Sequence, residues 1–158
     1  MVIILFIIPG CNGEPIQPPP PEPTIFADVS GYDSLHFETV AMATFNKYKE
    51  NAIQLNIGGS YDIGGKRYAL AISVFYLDTI LATGTFKFRP TKISNEEYAG
   101  GSFVIKQGDV QKEFKSDSGI INITELNESI IKGTFNFFGS DLSKTQHIKV
   151  QNGILNIK

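Results

Sequence analysis

The sequence predicts an all-β domain: an antiparallel β-sandwich or flattened β-barrel of about ten strands, behind a short N-terminal signal and tether segment. Three observations point there. Apolar and polar residues alternate with period two through most of the chain. Turn-forming dipeptides such as Gly64-Gly65, Gly108-Asp109 and Asn152-Gly153 interrupt that alternation at short intervals. No stretch sustains a 3.6-residue period. The best helical candidate is a single turn over 46–51, where a hairpin loop reads equally well.

The first segment, residues 1–10, reads as a signal peptide. Val2 to Ile8 (VIILFII) is apolar but far shorter than the ~20 residues a membrane-spanning helix requires. It suits the short apolar region of a secretory signal, although the charged region that normally precedes it is missing. Ile8-Pro9-Gly10-Cys11 resembles a bacterial lipobox, in which the cysteine becomes the lipidated first residue. Cys11 is the only cysteine of the chain, so it has no partner for an internal disulfide and no companions for a thiolate zinc site. As an acyl carrier it anchors well, since each buried CH₂ contributes about 0.8 kcal/mol.

Residues 11–23 form the second segment. Gly13 to Pro23 (GEPIQPPPPEP) cannot join a strand ladder and favours an extended polyproline path of about 35 Å. It reads as a stiff spacer, with a PxxP ligand for a recognition domain as the sharper alternative.

The third segment, residues 24–158, is the single all-β domain. Its strands are expected over 24–30, 36–44, 52–58, 60–63, 66–76, 80–89, 98–106, 110–115, 119–125, 129–138, 145–151 and 153–158. The clearest alternation runs from Tyr68 to Tyr76, with Leu70, Ile72 and Val74 on the apolar side. Gly64-Gly65 and Asn152-Gly153 suit type I′ hairpins, which need positive φ at both central residues. Leu126 to Glu128 is a further expected turn. Two strings echo one another: Gly84-Thr85-Phe86-Lys87-Phe88 and Gly133-Thr134-Phe135-Asn136-Phe137, each followed by a glycine-led strand at Gly101 and Gly153. The plain reading is a shared packing demand, with glycine making room beside a large Phe.

Longer motifs in the second half carry a resemblance. Gly119–Leu126 (GIINITEL), Ile131–Phe137 (IKGTFNF) and Ile148–Ile157 (IKVQNGILNI) resemble a family of uncharacterised Bacteroidetes envelope lipoproteins, and Phe26–Gly31 (FADVSG) fits an early motif of that family. The resemblance implies an exported all-β lipoprotein of the bacterial envelope, held at the outer membrane on its periplasmic or surface face. It transfers no catalytic residue.

The chemistry on offer is sparse. A formal net charge of −2 with scattered Lys and Arg argues against a phosphate-tracking surface, so no nucleic-acid partner is expected. Neither His36 nor His147 has a second ligand at metal-binding spacing, and no calcium loop occurs, so no metal and no cofactor are expected. There is no Gly-x-Ser-x-Gly elbow and no facing carboxylate pair to read from the sequence, so no catalytic residue is assigned. Ser34 and Thr79, in Asp33-Ser34-Leu35 and Asp78-Thr79-Ile80, match the acceptor pattern for bacterial O-glycosylation. Phe75 and Phe138 fall on faces opposite the apolar stripes and suit carbohydrate or protein contact. The leading expectation is a non-enzymatic binding or structural module with a protein or glycan partner, anchored to a membrane by lipid on Cys11. A lipocalin-like carrier of a small apolar ligand is the second reading. A hydrolase whose site assembles from distant strands is the third.

Overall fold

A computed structural model describes residues 22, 24–49, 52–78, 80–90 and 96–158, and these described residues form ten antiparallel strands and no helix. Cys11, the expected signal peptide and all of the expected spacer except residue 22 therefore lie outside the described residues. The strands are β1 (Thr24–Gly31), β2 (Leu35–Val40), β3 (Met42–Lys49), β4 (Ala52–Ile63), β5 (Lys66–Tyr76), β6 (Gly84–Lys87), β7 (Tyr98–Gln107), β8 (Val110–Leu126), β9 (Ile131–Ser140) and β10 (His147–Ile157). They make one curled sheet in the order β2-β1-β10-β9-β8-β7-β5-β4-β3, with β6 beside β8.

The curl follows from the alternation. Tyr68, Leu70, Ile72, Val74 and Tyr76 of β5 are all buried, as the sequence predicts. The same stripe recurs on every long strand, so the dry faces must converge on a single interior. Aromatic rings fill it. Phe37 meets Phe103 edge-on at 5.8 Å between centroids, Tyr76 meets Phe86 at 5.2 Å, and Phe88 meets Phe137 at 5.1 Å. Burying each such side chain stabilises the fold by roughly 1.5–3 kcal/mol.

Several expected strands change their bounds, each for an identifiable reason. The strand expected over 36–44 is two, β2 and β3, separated by Ala41. β2 pairs with β1 and β3 pairs with β4, at opposite ends of the sheet order. One continuous run thus bends at a small buried residue and joins the two ends of the curl. Thr39 Oγ1 donates to the Ser60 carbonyl (2.8 Å) and Tyr61 Oη to the His36 carbonyl (3.1 Å), tying β2 across to β4. The expected break at Gly59 is absent, and 52–63 is one strand. Gly59 serves the crossing instead: a Cβ there would sit 2.5 Å from Thr39 Cγ2 and 2.6 Å from the Val40 carbonyl oxygen. The helical turn weighed over 46–51 is excluded for 46–49, which belong to β3; 50 and 51 lie outside the described residues.

Bulges account for two further corrections. The strands expected over 110–115 and 119–125 are one strand, β8, whose pairing with β9 shifts between Ser116 and Ser118. The extra residue, Asp117, breaks the alternation and reads in sequence as a loop. The hairpin expected at Asn152-Gly153 is likewise a bulge inside β10, between Val150 and Gly153. Asn152 has φ +51°, so the dipeptide does supply a left-handed residue, but to a bulge rather than a turn. Gly64-Gly65 does form a tight hairpin, with φ +58° and +75°. The strand expected over 80–89 shrinks to Gly84–Lys87, followed by an isolated bridge from Phe88 to Ala99.

The internal echo has a geometric meaning. β6 and β9 flank the same stretch of β8 in the same register. Gly84 and Gly133 both lie opposite Ile123, Thr85 and Thr134 opposite Asn122, Phe86 and Phe135 opposite Ile121. Two strands that meet one strand from either edge face one packing demand and answer it with one sequence.

Candidate binding site at the loop end

The pairing directions place four connections at one end of the sheet: Tyr32–Ser34, Gly64-Gly65, Gly108-Asp109 and the loop Asp141–Gln146. β1 enters the domain at Thr24, at the other end. The loop end collects exposed apolar side chains. Leu142 is 100% exposed, Val110 63%, Ile63 59% and Tyr32 43%. Of these, Tyr32 packs on the buried Phe114 at 5.4 Å between ring centroids, whereas Ile63, Val110 and Leu142 stand outside the core cluster.

Asp141 organises the longest of these loops. Its carboxylate accepts from the Thr145 and Gln146 amides (3.0 and 3.1 Å) and from Ser143 Oγ (2.6 Å). Its carbonyl accepts from the Lys144 amide, and its own amide donates to the Gln146 carbonyl. The Ser143 hydroxyl and the Gln146 and Thr145 amides hold its carboxyl below the usual carboxylate range. Lys144 adopts the left-handed region at φ 59°. The Asp-centred turn thus fixes a loop whose tip is a bare leucine.

The β8 bulge reaches the same loop. It aims Asp117 at Ser140 Oγ, which donates at 2.6 Å, and at Lys144 Nζ. Burial pushes the Asp117 carboxyl up, but Lys144 and Ser140 outweigh it and the group ends below the usual range. Lys112 Nζ donates to Gln146 Oε1 (2.6 Å) and sits 4.1 Å from the centre of the Tyr32 ring. Between the start of β8 and this loop lies a cleft of about 780 Å³, lined among others by Gln111, Lys112, Lys115, Leu142 and Lys144.

A second polar network closes the neighbouring turn. Asp33 Oδ2 accepts from Lys66 Nζ (3.0 Å) and Tyr68 Oη (2.9 Å), and Oδ1 from the Ser34 amide (2.9 Å). Lys66 and, less strongly, Tyr68 and the Ser34 amide hold the Asp33 carboxyl below its usual range against the opposing effect of burial.

Of the residues singled out in the sequence, Ser34 lies exposed in the Tyr32–Ser34 turn, whereas Cys11 and Thr79 fall outside the described residues. His36 is on the outer face, with Nδ1 2.9 Å from Asp28 Oδ1. His147 is exposed at the start of β10. Ser140, its direct cross-strand partner, donates a hydrogen bond to Asp117. Among the described residues no group of three or more His, Cys, Asp or Glu could hold a metal ion. Phe138 is 47% exposed on the outer face, while Phe75 is half-buried and stacks on Tyr98 at 4.5 Å. Sequence reasoning did not single out Asp117, Leu142 or the cleft. The available signal was one leucine inside the polar run Ser140–Gln146.

Among the described residues no helix is long and apolar enough to cross a membrane. No protein-family model matches the chain, and no curated protein or solved structure matches it.

Proposed function

We propose that the chain is a membrane-anchored lipoprotein of the bacterial envelope that works as a non-enzymatic binding module through the loop end of its β domain. The carrying observation is the bare Leu142 on a rigid, Asp141-centred loop beside the cleft. Apolar groups held in water by a structured loop have a cost that a partner removes. The anchor is read from the lipobox-like surroundings of Cys11 and from the motif resemblance to Bacteroidetes envelope lipoproteins. Thr24 enters the sheet at the end away from the cleft, so a tether attached there leaves the loop end facing outward from the membrane.

Replacing Cys11 by Ser and fractionating cells tests the anchor. The wild-type chain is expected in the membrane fraction and the Cys11→Ser chain in the soluble fraction. Retention of the variant with the membrane would defeat the anchoring.

A further inference from the structure

Among the described residues, the pairing of β8 leaves part of one edge open. From Val110 to Lys115 its first edge is fully paired with β7. β9 reaches its second edge only at Lys115, opposite Ser140, and the chain then leaves the sheet for the Asp141–Gln146 loop. Backbone groups of successive residues in an antiparallel strand point to alternate edges. The two-residue turn at Gly108-Asp109 makes Gln107 and Val110 its hydrogen-bonded closing pair. Val110, Lys112 and Phe114 therefore face β7, while Gln111 and Glu113 direct their backbone N–H and C=O groups to the open edge. No backbone bond from the neighbouring loop meets them there among the described residues. The open edge borders the cleft, and both residues line it.

We infer that the cleft binds an extended, acidic peptide segment of a partner protein, added to β8 as a short strand in line with β9. This deepens the reading of the loop end as a binding surface and does not depend on the anchor. The main-chain demand is that of strand addition, in which backbone pairing supplies affinity and side chains supply selectivity. The open edge accepts about four residues. Charge selects acid. Lys112, Lys115 and Lys144 line the cleft. The two carboxylates that line it are already engaged, Asp141 by its own loop and Glu113 by Ser102 Oγ (2.9 Å) and Lys115 (3.8 Å). Lys144 is held by Asp117 and Lys115 by Glu113, so the choice of an acid rests on Lys112, whose hydrogen bond and ring contact are to an amide and an aromatic ring and which also helps to lower the Asp141 carboxyl. Leu142 adds an apolar contact for an aliphatic residue of the segment.

The test uses the full chain and a fluorescein-labelled Val-Glu-Val-Glu-Val-Glu peptide, read by fluorescence anisotropy. Saturable binding is expected, weakened at least about tenfold when alternate peptide amides are N-methylated and when Lys replaces Glu in the peptide. Lys112→Glu in the protein is expected to weaken binding by a similar factor. Glu113→Pro removes an N–H that β7 does not use and is expected to abolish binding at an unchanged thermal midpoint. If that variant proves unfolded, the N-methylated peptide decides, since it leaves the protein untouched. Equal binding of the methylated and unmethylated peptides, or no saturation up to about 1 mM, overturns the proposal. So does a second copy of the chain occupying the edge, seen as concentration-dependent dimerisation that the peptide does not reverse. These titrations are silent on Cys11, so their failure and a failed fractionation are separate results.

Discussion

Gly153 shows how much one missing side chain can matter. It lies in the β10 bulge beneath Phe135, and a Cβ there would sit 2.6 Å from three atoms of that ring. Phe135 is itself 2% exposed and has little room to move. Gly153→Ala should therefore destabilise the domain by about 2 kcal/mol, measured as a lower urea midpoint at unchanged slope. Asp33 makes the electrostatic counterpart. Its folded carboxyl is held below the ordinary value, chiefly by Lys66, so its contribution to stability is present above the unfolded pKa of about 3.9. That contribution is lost as pH falls through the lower folded value. Urea midpoints from pH 6 to pH 2 should fall less steeply for Asp33→Asn than for the wild-type chain. The glycine was legible as a small residue paired with a large Phe, because that demand is local to two strands. The Asp33 partners were not, since Lys66 and Tyr68 come from another strand and only the curl brings them near.

Elements differ in how they tolerate a change of length. β10 places three residue steps, Val150 to Gly153, against two on β9, Phe137 to Phe135. Its pairing with β1 carries the same excess, from Gln151 to Ile154 against Asp28 to Phe26. Deleting Asn152 therefore restores a regular ladder and keeps Leu155 and Ile157 facing inward. The loss is the 2.8 Å bond from Asn152 Nδ2 to Asp28 and the local twist of the bulge. β5 has no such slack: its pairing with β4 is continuous from Lys66 to Tyr76. Deleting Ser73 throws one end of its apolar stripe to the wet face. The Asn152 deletion should fold with a loss below about 2 kcal/mol, and the Ser73 deletion should give collapsed amide dispersion in NMR spectra. Regular strands such as β5 could be read from sequence almost to the residue. β8 and β10 were each cut in two, because a bulge residue and a loop residue break alternation in the same way.

The whole molecule depends on a pairing between distant parts of the chain. β10 lies between β1 and β9, so Thr24 finds its partner at Asn156 only once the chain is complete. Truncation before Ile148 should abolish folding, because it strips β1 and β9 of their common neighbour and exposes Ile25, Val29 and Phe137; far-ultraviolet circular dichroism would check this. By itself the sequence determined the all-β class, most strand positions and which side of each strand is dry. Those properties follow from period-two alternation and turn chemistry, which act over a few residues. The anchor proposed at Cys11 rests on local motif alone and lies outside the described residues. Only the tertiary structure decided the strand order, the bend at Ala41 that joins the ends of the sheet, and the gathering of Leu142, Lys112 and the open edge of β8 around one cleft. Those depend on pairings between residues far apart in the chain, and the apolar pattern that drives them says which face is buried but not which strand lies alongside.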